Sequence, residues 1–260
     1  MSAPKAILFL GATGGCGLSA LRRSLSANHT CIALCRTPSN LTSKLPNNTQ
    51  PPNLHIIQGN AHDAEVLARC LVHPADPARL VDTIVFSIGA RPTLKGMDDP
   101  HVCENGMAAL LTALQRCRAE RGTSSSTSTF AAAAGPRIVA VSSTGISELA
   151  RDLPLLMVPM YKLLLGAAHR DKKALEDALV RGAGKDEAWT IVRGSFYTAG
   201  AETEGAVRVG VEDPVRGVVE SLAIGYTISR EDVGKWIFEN VIRDEEGGGK
   251  WVRKVATVTY

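Results

Sequence analysis

Three glycines at fixed spacing, Gly11, Gly14 and Gly17, carry the first chemistry legible in this chain. Ile7, Leu8, Phe9 and Leu10 run straight into them, and a helical pattern starts at Leu18. Strand, glycine turn and helix in that order form the layout that receives the diphosphate of a dinucleotide. Gly11 lets the chain turn sharply off the strand. Gly14 has no Cβ, so the backbone can approach a phosphate, and Gly17 lets the helix pack closely on the sheet. The helix start adds unpaired N–H groups and a partial positive charge. The candidate cradle is therefore Gly11, Thr13, Gly14, Gly15, Cys16 and Gly17.

A second group selects between nucleotides. An acid at the end of the second strand would hold the ribose hydroxyls of NAD, whereas a base would pair with the 2′-phosphate of NADP. That strand ends Leu34, Cys35, Arg36, Thr37, with no acid. Arg36 lies about 20 residues beyond Gly17, where the fingerprint expects the deciding side chain. A guanidinium grips phosphate in a bidentate way, and Thr37 or Ser39 can add a hydroxyl. The prediction is NADP(H) in preference to NAD(H); the alternative is a solvated surface arginine. Asn60 and Ala61 follow the third apolar run. Ser87, Ile88 and Gly89 follow the fourth, and Ser142, Ser143, Thr144 and Gly145 end the fifth. Ligands of an open parallel sheet lie across the carboxyl ends of its strands, so these segments are predicted beside the cofactor. His62 reads as a helix-start residue.

The elements that must position these groups alternate along the chain. Apolar runs predict strands at residues 6–10, 31–35, 54–58, 83–88, 138–142 and 190–192, with a last one within 251–257. Helical patterns follow at 18–26, 63–71, 101–121, 168–180 and 231–242. Ser229 can cap the last helix, with Asp232 suiting its positive end. Strands alternating with helices imply right-handed crossovers. Strands apolar on every residue imply a sheet covered on both faces. The fold class is α/β, a doubly wound Rossmann fold with a mostly parallel sheet. One domain is expected over residues 1–260, its cofactor half at about 1–145 and its substrate-loop elements at about 146–260. Residues 37–53 read as a loop, 122–135 as a flexible surface insertion, and 247–249 as a glycine linker.

Composition narrows the function classes. A net charge of +3 over 260 residues, without a Lys/Arg cluster, argues against nucleic acid. The longest apolar run, residues 153–168, is broken by Pro154, Pro159 and Lys162, so no membrane span is expected. The first strand begins at once, leaving no room for a signal peptide, and a cytoplasmic location is expected. Six scattered cysteines fit a reduced compartment, and no His or Cys set predicts a metal. A small-molecule substrate is the expected partner. The chain reads equally as a monomer or a homodimer.

With these pieces together, the chain resembles the atypical short-chain dehydrogenases/reductases, most of all the NmrA-like and flavin reductase/biliverdin reductase B types. The resemblance rests on residues 7–17, 33–36, 83–89, 137–145, 172–178, 189–195 and 228–233. It implies nicotinamide chemistry on a small carbonyl, quinone or conjugated aromatic compound, of the kind used in secondary metabolism. In that family a Ser, a Tyr and a Lys act together, the Tyr four residues before the Lys. Ser142 and Lys172 match two of them. Ala168, not Tyr, stands four residues before Lys172, and no Tyr-x-x-x-Lys exists at this site. The family often has Gly-Asp where Gly59 and Asn60 stand, and Pro where Gly194 stands, which points to a looser loop after the last core strand.

The departure leaves alternatives. Lys172 either holds the nicotinamide ribose or pairs with Glu176 one turn on. Tyr161 either lines the pocket or packs as a loop residue. His169 is a candidate proton donor or a structural histidine. Ser143, Thr144, Phe196 and Tyr197 are the candidate substrate contacts. Leu153 to Met160 can form a substrate lid, core or a subunit interface. Three functions follow: an NADPH-dependent reductase, an NmrA-like sensor that binds NADP(H) without turnover, and a dehydratase or isomerase using His169.

Overall fold

A computed structural model describes residues 4–260 apart from 91, 94, 95, 123–134, 204 and 244–248. The 122–135 insertion and the 247–249 linker thus fall largely outside the described residues. Nine strands form the central sheet: β1 (Ala6–Leu10), β2 (Thr30–Cys35), β3 (Leu54–Gln58), β4 (Thr83–Phe86), β5 (Arg137–Ser143), β6 (Trp189–Gly194), β7 (Arg208–Asp213), β8 (Val218–Ser221) and β9 (Lys254–Thr259). Their order is β8-β7-β9-β6-β5-β4-β1-β2-β3. Every pairing from β3 to β9 is parallel. Only β7, on β9, and β8, on β7, run antiparallel. The chain builds outward from β1 to β3, returns to β4 on the other side of β1, and continues to β6. The switch point therefore lies between the ends of β1 and β4, where a Rossmann fold binds its ligand.

The apolar strands feed two cores. Ala6, Leu8 and Leu10 of β1 face one side, with Phe86, Met107, Leu110, Leu175 and Trp189. Ile7 and Phe9 face the other, with Leu21, Val85, Val139, Val233 and Trp236. The first side is covered by helices α2 (Ala64–Leu71), α3 (Val102–Gly122) and α4 (Gly166–Val180). The second is covered by α1 (Gly15–Ser26) and α5 (Arg230–Ile237), which continues as a π turn over Phe238–Ile242. Ser229 Oγ accepts from Asp232 N at 3.0 Å, the cap the sequence predicts. Asp63 caps α2 on Glu65 N and Val66 N.

Two differences from the predicted elements bear on the site. Residues 208–221, to which the sequence reading assigns no element, form the β7–β8 hairpin that widens the sheet. Residues 158–164 form a short helix that leaves Leu163 83% exposed, and Leu155 and Leu156 just before it are also exposed. All six cysteines are free and buried.

Candidate functional site

The carboxyl ends of β1, β2, β4 and β5 open into one cleft of about 1030 Å³, at the upper end of ligand-pocket sizes. The glycine turn forms one wall. Gly11 sits at φ +97°, and a Cβ there would fall 2.7 Å from the Ser87 backbone. At Gly17 a Cβ would stand 2.2 Å from Ser87 Oγ and 2.6 Å from the Gly11 carbonyl. Gly17 thus fits the turn to the end of β4 as well as the helix to the sheet. Gly14 is different: a Cβ there would meet only Lys44 Nζ, at 3.8 Å, because the cleft lies in front of it. No side chain caps α1, and its first turn holds no acid. The open N–H groups, and the space a Cβ would fill, fit a diphosphate.

The residues singled out in the sequence mostly meet in this cleft. Gly11, Thr13, Gly14, Gly15, Cys16, Arg36, Thr37, Asn60, Ala61, Ser87, Ile88 and Gly89 line it; Gly17 lies just behind. Arg36 and Thr37 are exposed at its rim. Ser39 lies off the lining, while Asn40 and Lys44 are on it. Asn60 Oδ1 accepts from His62 N at 3.2 Å, and the His62 ring, 3.2 Å from the Val102 carbonyl, is also part of the wall.

Lys172 sits where β4 and β5 end. Its ammonium donates to the carbonyls of Ile88 at 2.7 Å and Val141 at 2.8 Å, leaving one of three donors for the cleft. The alternative pairing with Glu176 is corrected: Glu176 takes a two-pronged contact from Arg193, at 3.0 and 2.7 Å. Ser142 Oγ is buried in the same wall with no hydrogen-bond partner. A buried hydroxyl without a partner requires one, and a ligand oxygen in the cleft would supply it. Ser143 lines the cleft while donating to the Thr144 carbonyl. Thr144 does not reach the cleft. Its Oγ1 lies 3.4 Å from the Tyr161 hydroxyl, so it supports that residue rather than a substrate.

Tyr161, 3% exposed, lies on the short helix Val158–Leu164 and contributes to the wall. Burial pushes its hydroxyl pKa up. The His169 ring lies 5.3 Å from the Tyr161 ring, burial lowers its pKa, and its Nε2 has no partner. At neutral pH the pair is a protonated phenol beside an uncharged imidazole. Phe196 and Tyr197 complete the wall. The looser loop expected at Gly194 is corrected as well. The Tyr197 hydroxyl accepts from Gly194 N at 3.0 Å and donates to the Ser142 carbonyl at 2.5 Å. A Cβ on Gly194 would lie 2.4 Å from the Tyr197 ring, so the glycine seats the tyrosine.

Outside the cleft lining, Arg193 is buried among acids. It meets Glu176, Glu212 at 2.8 Å and Asp152 at 3.9 Å. Burial opposes its charge, and the carboxylates outweigh burial and raise its pKa. Asp152 accepts from Gly145 N at 2.8 Å, and burial raises its carboxyl to about 6. Two cleft cations, Lys44 and Arg230, escape the sequence reading. The only signal for Arg230 is its place after the Ser229 cap, and Lys44 lies in a segment read as loop. No cluster of three or more potential metal ligands occurs among the described residues.

Comparisons with known proteins agree with this cleft. Residues 11–244 match a family described as NAD(P)H-binding. The chain belongs to that NAD(P)H-binding family. Over its whole length it is 37% identical to the reductase pytE of Aspergillus terreus, covering 99% of that protein. It is 33% identical to the oxidase pynE of Aspergillus niger, again covering 99%. A short-chain dehydrogenase/reductase of Veillonella parvula, solved in complex with NADP, superposes with a TM-score of 0.69 at 16% identity. That overlap covers 99% of this chain and 95% of the other. The anaerobilin reductase ChuY of Escherichia coli gives a TM-score of 0.62 at 17% identity, over 97% of this chain and 96% of the other. At these identities the two structures establish the shared fold. With the family and the full-length relatives, the chain is an oxidoreductase.

Proposed function

We propose that this oxidoreductase prefers NADPH and reduces a small carbonyl, quinone or conjugated aromatic compound. The observation that carries the reading is the unpartnered Ser142 hydroxyl, which shares one cleft with Lys172 and the glycine cradle. When bound, the nicotinamide supplies a hydride. The residues of the chain do the rest. The turn Gly11–Gly17 and the α1 N-terminus hold the diphosphate. Arg36 and Thr37 hold the 2′-phosphate. The remaining donor of Lys172 faces the ribose, and Ser142 Oγ donates to the acceptor oxygen. Phe196, Tyr197 and Leu165 exclude water. Tyr161 keeps its proton at neutral pH, and Lys172 is committed to Ile88 and Val141, so the phenol is a weak acid here. Acceptors that take hydride without strong proton assistance, their reduced anion taking up its proton once released to solvent, suit this arrangement.

The test is nicotinamide fluorescence on titration with NADPH and NADH, followed by reduction of menadione. Arg36→Ala weakens NADPH about tenfold or more and leaves NADH nearly unchanged, as loss of one charge-assisted contact requires. Tyr161→Phe keeps most of the turnover, whereas Ser142→Ala and Lys172→Ala lower it about tenfold or more. Full activity in both of the latter sinks their assignment. A binding-only sensor is the second reading, favoured by Ala168 lining the cleft where the family carries its tyrosine. It requires tight NADPH binding with no turnover of any quinone, flavin or carbonyl acceptor.

A further inference from the structure

Arg230 lines the cleft beside the open end of α1. Its side chain packs over Gly15, where a Cβ would lie 3.1 Å from Arg230 Cδ; Gly15 itself has φ +55°. The guanidinium sits over the Tyr197 ring, 5.7 Å from its centre, a placement that orients a cation without neutralising it. That ring is fixed in turn by the two hydrogen bonds of its hydroxyl, to Gly194 N and the Ser142 carbonyl. The neighbouring acids in the chain, Glu231 and Asp232, are committed elsewhere, Asp232 to Ser229, Thr203 and Tyr260. Glu231 pairs with Arg23 at 3.2 Å, and Glu202 pairs with Arg23 at 2.6 Å and Lys235 at 2.5 Å. Among the described residues, Arg230 has no carboxylate partner. Burial pushes the Cys16 thiol up to about 12, and the Arg230 charge is the strongest influence in the other direction. The guanidinium is thus felt inside the first turn of α1. An unneutralised cation facing the positive end of a helix is electrostatically unfavourable unless an anion lies between them.

We infer that Arg230, held on the Tyr197 ring beside the first turn of α1, grips the cofactor diphosphate at the phosphate nearer the nicotinamide. The inference rests on the cofactor reading above and adds a residue whose contact is common to NADPH and NADH. Arg36 would read the difference between the two nucleotides, and Arg230 what they share. Gly194 belongs to the same device, because a side chain there would displace the tyrosine that carries the guanidinium.

Calorimetric titration with two fragments separates the roles. ADP-ribose keeps both bridging phosphates and lacks the 2′-phosphate. Adenosine 2′,5′-bisphosphate keeps the 2′-phosphate and only one bridging phosphate. Arg230→Met is expected to weaken ADP-ribose, NADH and NADPH about tenfold or more, the loss of a charge-assisted contact. It leaves the NADPH-to-NADH preference and the bisphosphate affinity within about threefold of the parent. Arg230→Lys recovers part of the loss, and Arg36→Ala shows the reverse pattern. ADP-ribose affinity unchanged in Arg230→Met, with the parent binding normally, overturns this inference alone. A loss confined to the bisphosphate and NADPH also overturns it, by moving Arg230 to the 2′-phosphate. A parent protein that binds neither fragment nor NADPH overturns the cofactor reading, and the inference with it.

Discussion

Gly194 shows how one missing side chain positions several groups. Its hydrogen leaves room for the Tyr197 ring, whose hydroxyl joins the ends of β5 and β6 beside Ser142. Gly194→Ala forces the ring aside, and overpacking of this kind costs about 1–3 kcal/mol. Tyr197→Phe keeps the ring and loses only the hydroxyl contacts, about 1 kcal/mol. Urea midpoints of the two variants should fall in that order, and equal values would mean that the ring does not depend on the glycine. At this scale, legibility followed locality. Gly11 and Gly17 could be read because a turn off a strand makes a steric demand within a few residues. Arg36 could be placed in the cleft because it ends a strand. Arg230 and Lys44 could not, because their nearness to the glycine turn exists only once α5 and the 39–45 segment fold back over it. Gly194 was read through its family counterpart, and the tyrosine three residues on reverses its meaning.

Among elements, Lys172 depends on how α4 is held. The residue before it, Asp171, is buried and reaches across to α3, accepting from Cys103 N at 3.0 Å and Glu104 N at 2.9 Å. The carboxylate caps a neighbouring helix, where it satisfies open N–H groups and suits the positive end. It also fixes the rotation of α4 that points Lys172 at Ile88 and Val141. Asp171→Ala should cost about 1–2 kcal/mol, the usual value of a lost cap, and should weaken NADPH as well. Lost stability with unchanged NADPH affinity would separate the cap from the positioning of Lys172. The strand and helix order was legible because the parallel strands are built around short apolar runs. The cap was not, since its donor and acceptor lie far apart in the chain. Nor was the β7–β8 hairpin, whose second strand has no buried residue and whose span contains Gly210 and Pro214. Such a pattern reads as loop until β9 supplies the edge it pairs with.

For the whole molecule, the buried cluster around Arg193 sets a pH dependence. Asp152 faces Gly145 N–H, Arg193, Glu212 and, through Arg193, Glu176. Its carboxyl is raised from 3.8 to about 6. Below pH ~4 it is protonated in both folded and unfolded chains and carries no penalty. As pH rises through ~6 the folded protein gives up that proton at a cost, so the stability tied to this group is lost between those values. The change is about 2–3 kcal/mol at 1.36 kcal/mol per pH unit. Asp152→Asn keeps an acceptor for Gly145 N and has no proton to lose. Its urea midpoint should exceed the parent value at pH 7.5 and approach it near pH 4. A constant gap between the two proteins across that range would remove Asp152 as the source.

The burial of every cysteine has a consequence of another kind. Burial raises the thiol pKa of Cys16, Cys31, Cys35, Cys70 and Cys103, and only a thiolate attacks an electrophile or a disulfide. An enzyme whose proposed acceptors include quinones works among molecules that alkylate thiols. In the native fold those five thiols are held protonated, and all but Cys16 and Cys35, which line the cleft, are also shielded from it. The packing that builds the two cores therefore also guards the protein against such electrophiles, and that guard lapses while the chain opens.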